Sequence, residues 1–161
     1  MSNGITAVTG YMGAPVYEYA KALAAERGVA LVCLDREIEE REKWSIKRLV
    51  MMHGEHGYRN QEYEVLCDLA KAGEPVVVAC GDGVLYDDDS AAIIAEGELI
   101  IVGEDLLANG PGTFNTDVLW ESASAIDDSY HAFMSIPDEA KRRQAFDEFI
   151  ARQKVLFESR K

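Results

Sequence analysis

Four short segments constrain this chain more than anything else in it: Ile5–Thr9, Ala30–Leu34, Pro75–Cys80 and Glu98–Val102. Each is apolar almost from end to end and rich in β-branched residues, without the strict polar–apolar alternation of a strand that faces water on one side. Strands of that composition must be covered on both faces. The segments between them, Val16–Arg27, Ser45–His53, Asn60–Lys71 and Ser90–Glu96, carry apolar residues at helical spacing. The pattern predicts an α/β fold: a parallel sheet of about four strands with helices on both faces. With 161 residues, positions 1–161 form a single domain. Ligands of such sheets bind beyond the carboxyl ends of the strands. Here those ends are Gly10–Ala14, Asp35–Arg36 and Gly81–Gly83.

After Val102 the pattern changes. Asn109-Gly110-Pro111-Gly112 is a turn signal, Thr116–Phe133 has mixed helical character, and Ile136-Pro137-Asp138-Glu139 opens a last helix. Pro137 suits the first helical position, with Asp138 and Glu139 at the positive helix end. The helix runs through Phe146, Phe149 and Ile150 towards Phe157.

Twenty-nine acidic residues against 16 basic ones give a net charge of −13. A field of that sign repels nucleic acid and anionic membranes, and it opposes a polyanion such as a nucleotide unless a basic pocket intervenes. No segment approaches the ~20 apolar residues of a spanning helix, and the first residues carry no basic or long apolar stretch. Cys33, Cys67 and Cys80 lack metal-ligand spacing, and two of them sit in apolar runs, which suits a reducing compartment. The expectation is a cytoplasmic protein without nucleic-acid or membrane partners. No metal site is expected. His53 and His56 lack a third ligand and read as helix-end and loop residues. Asp87-Asp88-Asp89-Ser90 reads as a helix N-cap with favourable charge, as does Asp127-Asp128. His131 reads as a helical surface residue, and Trp44 and Trp120 read as packed aromatics.

Gly10-Tyr11-Met12-Gly13-Ala14-Pro15-Val16-Tyr17 follows a strand and opens a helix, where a phosphate-cradling loop GxxxxGK[ST] would stand. That chemistry needs a glycine for close backbone approach, a lysine for the phosphates and a hydroxyl for Mg²⁺. The three positions hold Pro15, Val16 and Tyr17. Around this loop, Leu34-Asp35-Arg36-Glu37-Ile38-Glu39, Ser45-Ile46, Gly54-Glu55-His56-Gly57-Tyr58-Arg59 followed by Glu62, and Val76-Val77-Val78-Ala79-Cys80-Gly81-Asp82-Gly83 succeed one another. In that order and spacing, from about Ile5 to Val102, the chain resembles shikimate kinase.

The resemblance implies a P-loop kinase fold, with ATP and shikimate sites at the carboxyl edge of the sheet and a role beside aromatic amino acid biosynthesis. It assigns Asp35 to the shikimate hydroxyls and Arg59 to the carboxylate, with Gly81, Asp82 and Gly83 standing where the family has three glycines. Asp82 adds negative charge there. Arg152 is the counterpart of a second carboxylate-binding arginine, with the register open by one residue. A purely structural Asp35–Arg59 ion pair is the competing reading. The nucleotide half reads as a degenerate phosphate loop, which keeps Gly10 and Gly13 but has Pro15, Val16 and Tyr17 at the three chemical positions. Cys33 replaces the metal-associated aspartate, and Gly103–Asp128, where the lid belongs, holds no arginine or lysine. ATP and Mg²⁺ are expected for the family, but no cofactor and no catalytic residue is expected here. Compared with the family the chain reads as C-terminally shortened, so a homodimer or protein partner is expected to cover its open sheet edge. Three functions follow: a pseudoenzyme that binds a small hydroxylated carboxylate as a sensor or regulatory partner; a weak or diverged shikimate kinase; and a structural subunit.

Overall fold

The computed structural model describes residues 2–11, 14–81, 83–103 and 137–161. Gly13, Asp82, Asn109–Gly112, Thr116–Phe133 (with Trp120, Asp127, Asp128 and His131) and Ile136 lie outside the described residues.

Four strands, β1 (Ile5–Gly10), β2 (Ala30–Cys33), β3 (Val76–Ala79) and β4 (Glu98–Val102), form one sheet in the order β2-β3-β1-β4. All three pairings are parallel, with Ile5 opposite Val76, Ala30 opposite Val76 and Thr6 opposite Glu98. Alternate residues divide the core in two. Ile5, Ala7, Val76 and Val78 pack with residues of α2 (Leu34–Glu42), α3 (Ile46–Ala72), α4 (Asp88–Ala95) and α5 (Glu139–Arg160). Val8, Val77 and Ala79 face the other way onto Ala20 and Ala24 of α1 (Val16–Arg27). Helices therefore cover both faces, as the apolar strands require. Among the described helices, none is long and apolar enough to cross a membrane.

The departures from the sequence reading that bear on the site each have a local reason. β2 stops at Cys33, because Leu34 and Ile38 are fully buried four residues apart and together form the apolar stripe of a helix. Asp35 therefore stands in the first turn of α2 rather than at a strand end. The helices expected at Ser45–His53 and Asn60–Lys71 are both present in α3, the second starting well before Asn60, directly after a kink at Gly54. That residue has φ 74° and ψ 178°, a backbone conformation that costs glycine little. His53 thus ends the first half of α3, as read, while His56 lies in the first turn of the second rather than in a loop; His53 stacks on Trp44 with ring centroids 5.8 Å apart. At α5 the cap is Asp138, whose carboxylate accepts from the Lys141 N–H at 3.1 Å; Pro137 precedes the cap instead of opening the helix. The expected cap at Asp87 is present, its carboxylate accepting from the Ser90 N–H at 2.9 Å.

α5 is tied into the core through Phe157, fully buried and edge-on to Tyr11 at 4.9 Å between ring centroids. Arg160, three residues on, donates to the Leu85 carbonyl at 3.3 Å and to Asp88 at 2.6 Å. Phe157→Ala should cost about 3–5 kcal/mol of unfolding free energy in urea. Val155→Ala, on the exposed side of the same helix, should change it by less than about 0.5 kcal/mol.

Candidate functional site

The carboxyl end of β3 is held to that of β1 by the buried Thr9, whose hydroxyl donates to the Gly81 carbonyl at 2.7 Å. The chain then passes through Gly83 into a single 3₁₀ turn, Val84–Tyr86. Arg59 reaches this turn from the second half of α3, with its side chain only 10% exposed. Its Nη1 donates to Glu62 Oε1 at 2.7 Å, and its Nε lies 3.5 Å from Glu55 Oε1 without a hydrogen bond. The remaining nitrogen, Nη2, packs on Gly83 so closely that a Cβ there would fall 2.1 Å from it. Glycine at position 83 is thus the space into which the guanidinium fits. The Tyr58 and Tyr86 rings lie 5.3 and 5.8 Å from Arg59 Cζ. Gln153 of α5 is buried and donates to the Tyr86 hydroxyl at 3.4 Å.

Asp35 approaches the same cluster from α2 and accepts a hydrogen bond from the Tyr58 hydroxyl. Asp35 and Arg59 are not an ion pair, contrary to the structural alternative above: Arg59 has Glu62, and Asp35 has Tyr58. Burial pushes the Asp35 carboxyl up to about 7, opposed by the Tyr58 hydrogen bond and reinforced by the charge of Glu62. Burial also raises Glu62, although Arg59 pulls it down. For Arg59, burial favours the neutral form, but Glu62 more than offsets it and holds the guanidinium above its ordinary value. The cluster is a fixed cation, a carboxylate paired to it, and a second carboxyl that holds a proton near neutral pH.

The phosphate-loop position is built differently from a cradle. The Ala14 N–H donates to the Tyr11 carbonyl at 2.9 Å and the Val16 N–H to the Ala14 carbonyl at 2.8 Å, so both donors are spent within the loop. Pro15, the residue before α1, has no N–H at all. Val16 and Tyr17 pack against the α1 side of the sheet. The Tyr17 ring carries the Arg36 guanidinium at 4.8 Å, and its hydroxyl accepts from Arg36 Nη1 at 3.3 Å. Beside it, a cavity of about 240 Å³ is lined by Leu31, Cys33, Glu37 and Glu40 as well as Tyr17 and Arg36. Burial raises the Cys33 thiol, which disfavours the thiolate. These residues do not fit Mg-ATP. Among the described residues, no group of three or more His, Cys, Asp or Glu side chains is placed to hold a metal.

Of the residues read from the sequence, Asp35, Arg59, Gly81 and Gly83 stand together at the carboxyl edge of the sheet. Asp82 and Gly13 fall outside the described residues. Arg152 is exposed, with its guanidinium 5.8 Å from the Phe149 ring, and its neighbour Gln153 is the residue turned inward to Tyr86. Sequence reasoning gave no role to Tyr58, Glu62 or Gln153. The signal was there for Glu62, a carboxylate three residues after Arg59 on a stripe otherwise made of Tyr58, Val65 and Leu66. Gln153 gave a weaker one, lying between Ile150 and Phe157 on the apolar face of α5.

The family model for shikimate kinase matches residues 12–103. The shikimate kinase of Bacillus cytotoxicus is 35% identical over 78 residues, which are 48% of this chain and 46% of that protein. The shikimate kinase of Zymomonas mobilis is 34% identical over 92 residues, 57% of this chain and 52% of that protein. The chain thus spans about half the length of the curated relatives it matches. Among solved structures, a shikimate kinase from Acinetobacter baumannii in complex with shikimate aligns with a TM-score of 0.69 at 18% identity, over 98% of this chain and 79% of that one. A shikimate kinase from Bacteroides thetaiotaomicron gives a TM-score of 0.68 at 22% identity, over 96% and 81%.

The raised Asp35 carboxyl has a consequence for stability. Its value of about 7 in the fold, against an ordinary 3.8, means that the native state binds more protons than the unfolded chain between roughly pH 4 and 7. Stability should therefore be full below pH 4, fall by a few kcal/mol as pH rises to 7, and level off above that. Asp35→Asn should flatten most of that slope, with a residue left by Glu62. Urea unfolding followed from pH 4 to 8 in both proteins measures it.

Proposed function

This chain belongs to the shikimate kinase family, and from that premise we propose that it is a pseudoenzyme: a ligand-binding member that no longer transfers phosphate. The observation that carries the reading is the contrast between the two halves of the sheet edge. On one side a guanidinium is held rigidly beside a hydrogen-bonding carboxyl. On the other, the Ala14 and Val16 N–H groups go to carbonyls of the loop itself, beside a proline, a valine and a tyrosine occupied by Arg36.

Phosphoryl transfer is almost wholly positioning and electrostatic stabilisation. Losing one preorganised donor from an anionic transition state costs on the order of 10²–10³ in rate. Here the lysine, the metal hydroxyl and the metal carboxylate are replaced by Val16, Tyr17 and Cys33. The net charge of −13 adds a field that opposes nucleotide approach.

The ligand side keeps recognisable chemistry. Arg59 Nη2 makes no side-chain pair among the described residues, and a guanidinium edge suits a carboxylate. Asp35 accepts from hydroxyls when ionised. The ligand class is therefore a small hydroxylated carboxylate such as shikimate, bound as a signal rather than as a substrate. One charge-assisted contact contributes about 1.5–3 kcal/mol net, so affinity is modest.

Calorimetric titration with shikimate should give a dissociation constant around 1 mM or weaker. Mg-ATP should give no saturable heat at concentrations up to several millimolar, and mixing all three should form no ADP. Because Arg59 alone cannot be removed without stranding a buried carboxylate, the binding control is Arg59→Met with Glu62→Met, which should abolish the shikimate signal in a folded protein. Micromolar Mg-ATP affinity with ADP formation would establish a diverged kinase instead. Absence of binding by either ligand would leave a structural subunit.

A further inference from the structure

We propose that the Tyr58 hydroxyl is a built-in occupant of the Asp35 subsite, taking the place of one ligand hydroxyl and so setting both the affinity and the selectivity of the site. The inference rests on the reading of Asp35 and Arg59 as a ligand pair and goes a step beyond it.

Tyr58 is fully buried and donates its hydroxyl to Asp35 Oδ1. The bond joins α2 to α3 between residues whose own elements place them: Asp35 in the first turn of α2, and Tyr58 next to Arg59 on the buried face of α3. The Tyr58 ring sits against the Arg59 guanidinium, with 5.3 Å between Cζ and the ring centroid. The phenol therefore spans the distance between the cation and the carboxyl, as the ring and hydroxyl of a bound hydroxy acid would. Its donor is chemically equivalent to a ligand hydroxyl, and Asp35 accepts it through one of only two carboxyl oxygens.

Two consequences follow. A ligand whose vicinal hydroxyls each engage one oxygen of Asp35 must displace the Tyr58 hydroxyl from Oδ1 or share the two lone pairs of that oxygen with it, and either way the Tyr58 hydrogen bond is perturbed. A ligand with a single hydroxyl can use the second oxygen and leave Tyr58 in place. The wild-type site thus discriminates against the vicinal diol, and the discrimination is carried by one oxygen atom of Tyr58.

The test is Tyr58→Phe, which keeps the ring and its packing and removes only the hydroxyl. Three carboxylates are titrated into both proteins by NMR at pH 8: shikimate, 3-hydroxycyclohexanecarboxylate, and cyclohexanecarboxylate, which probes the guanidinium alone. Tyr58→Phe should bind shikimate about tenfold more tightly than wild type, the mono-hydroxy acid less than about threefold more tightly, and cyclohexanecarboxylate unchanged. Equal shikimate affinity in both proteins, with cyclohexanecarboxylate bound by both, overturns the inference and leaves the ligand pair standing. Failure of all three carboxylates to bind either protein removes the ligand pair, and the inference with it. Should Tyr58→Phe not fold, the wild type still decides. Its Tyr58 ¹³Cζ resonance should move on saturation with shikimate and stay with cyclohexanecarboxylate, whereas an unmoved resonance at shikimate saturation overturns the inference.

Discussion

Arg59 carries a permanent charge on a side chain only 10% exposed, and the carboxyl edge of the sheet is organised around that fact. Withdrawing a cation from water costs several kcal/mol unless a partner and further hydrogen bonds replace the lost solvation. Glu62 supplies the partner at 2.7 Å, but it is fully buried itself, with Oε2 making no hydrogen bond. The pair is therefore held by geometry rather than by excess attraction. The helix puts its members three residues apart, the Tyr58 and Tyr86 rings flank the guanidinium, and the missing side chain of Gly83 leaves room for Nη2. Glu55 adds negative charge 3.5 Å from Nε. One cation thus already answers more than one carboxylate. Asp35, arriving from α2, holds a proton near neutral pH chiefly because it is buried, and the charge of Glu62 adds to the effect while Arg59 only partly opposes it.

The fold was legible because it rests on long-range sequence patterns. Continuous apolar strands and helical stripes between them leave few arrangements other than a doubly covered parallel sheet. What sequence blurred were the junctions. Leu34 reads as the end of an apolar run and is in fact the first buried residue of α2, paired with Ile38. His53 and His56 read as helix-end and loop residues, but the gap between the two helices shrinks to a single kink at Gly54, where glycine takes a positive φ at little cost. In the site, the residue types of Asp35 and Arg59 were visible, but their partners were not. An arginine and an aspartate at one sheet edge suggest each other. Only side-chain placement shows that Glu62 and Tyr58 take them instead. Gln153 was hidden by its neighbour: charge draws the eye to Arg152, while the helical phase of Ile150 and Phe157 turns Gln153 inward.

The two halves of the sheet edge are stabilised by different things. The Arg59–Glu62–Gly83 contact is part of the core, so substituting one member strands a buried charge or clashes with a guanidinium. A phosphate loop has no such support. Its glycine and lysine bind a ligand rather than other parts of the protein, and backbone N–H groups aimed at an absent anion are a cost to the fold. In this loop two donors are satisfied internally, Ala14 by Tyr11 and Val16 by Ala14, with Tyr17 stacked under Arg36. Arg59, by contrast, is fixed by contacts that need no ligand. Packing between Glu62 and Gly83 holds Arg59 in place whether or not a ligand arrives, so its presence supports a binding role only together with the partly exposed Asp35 beside it.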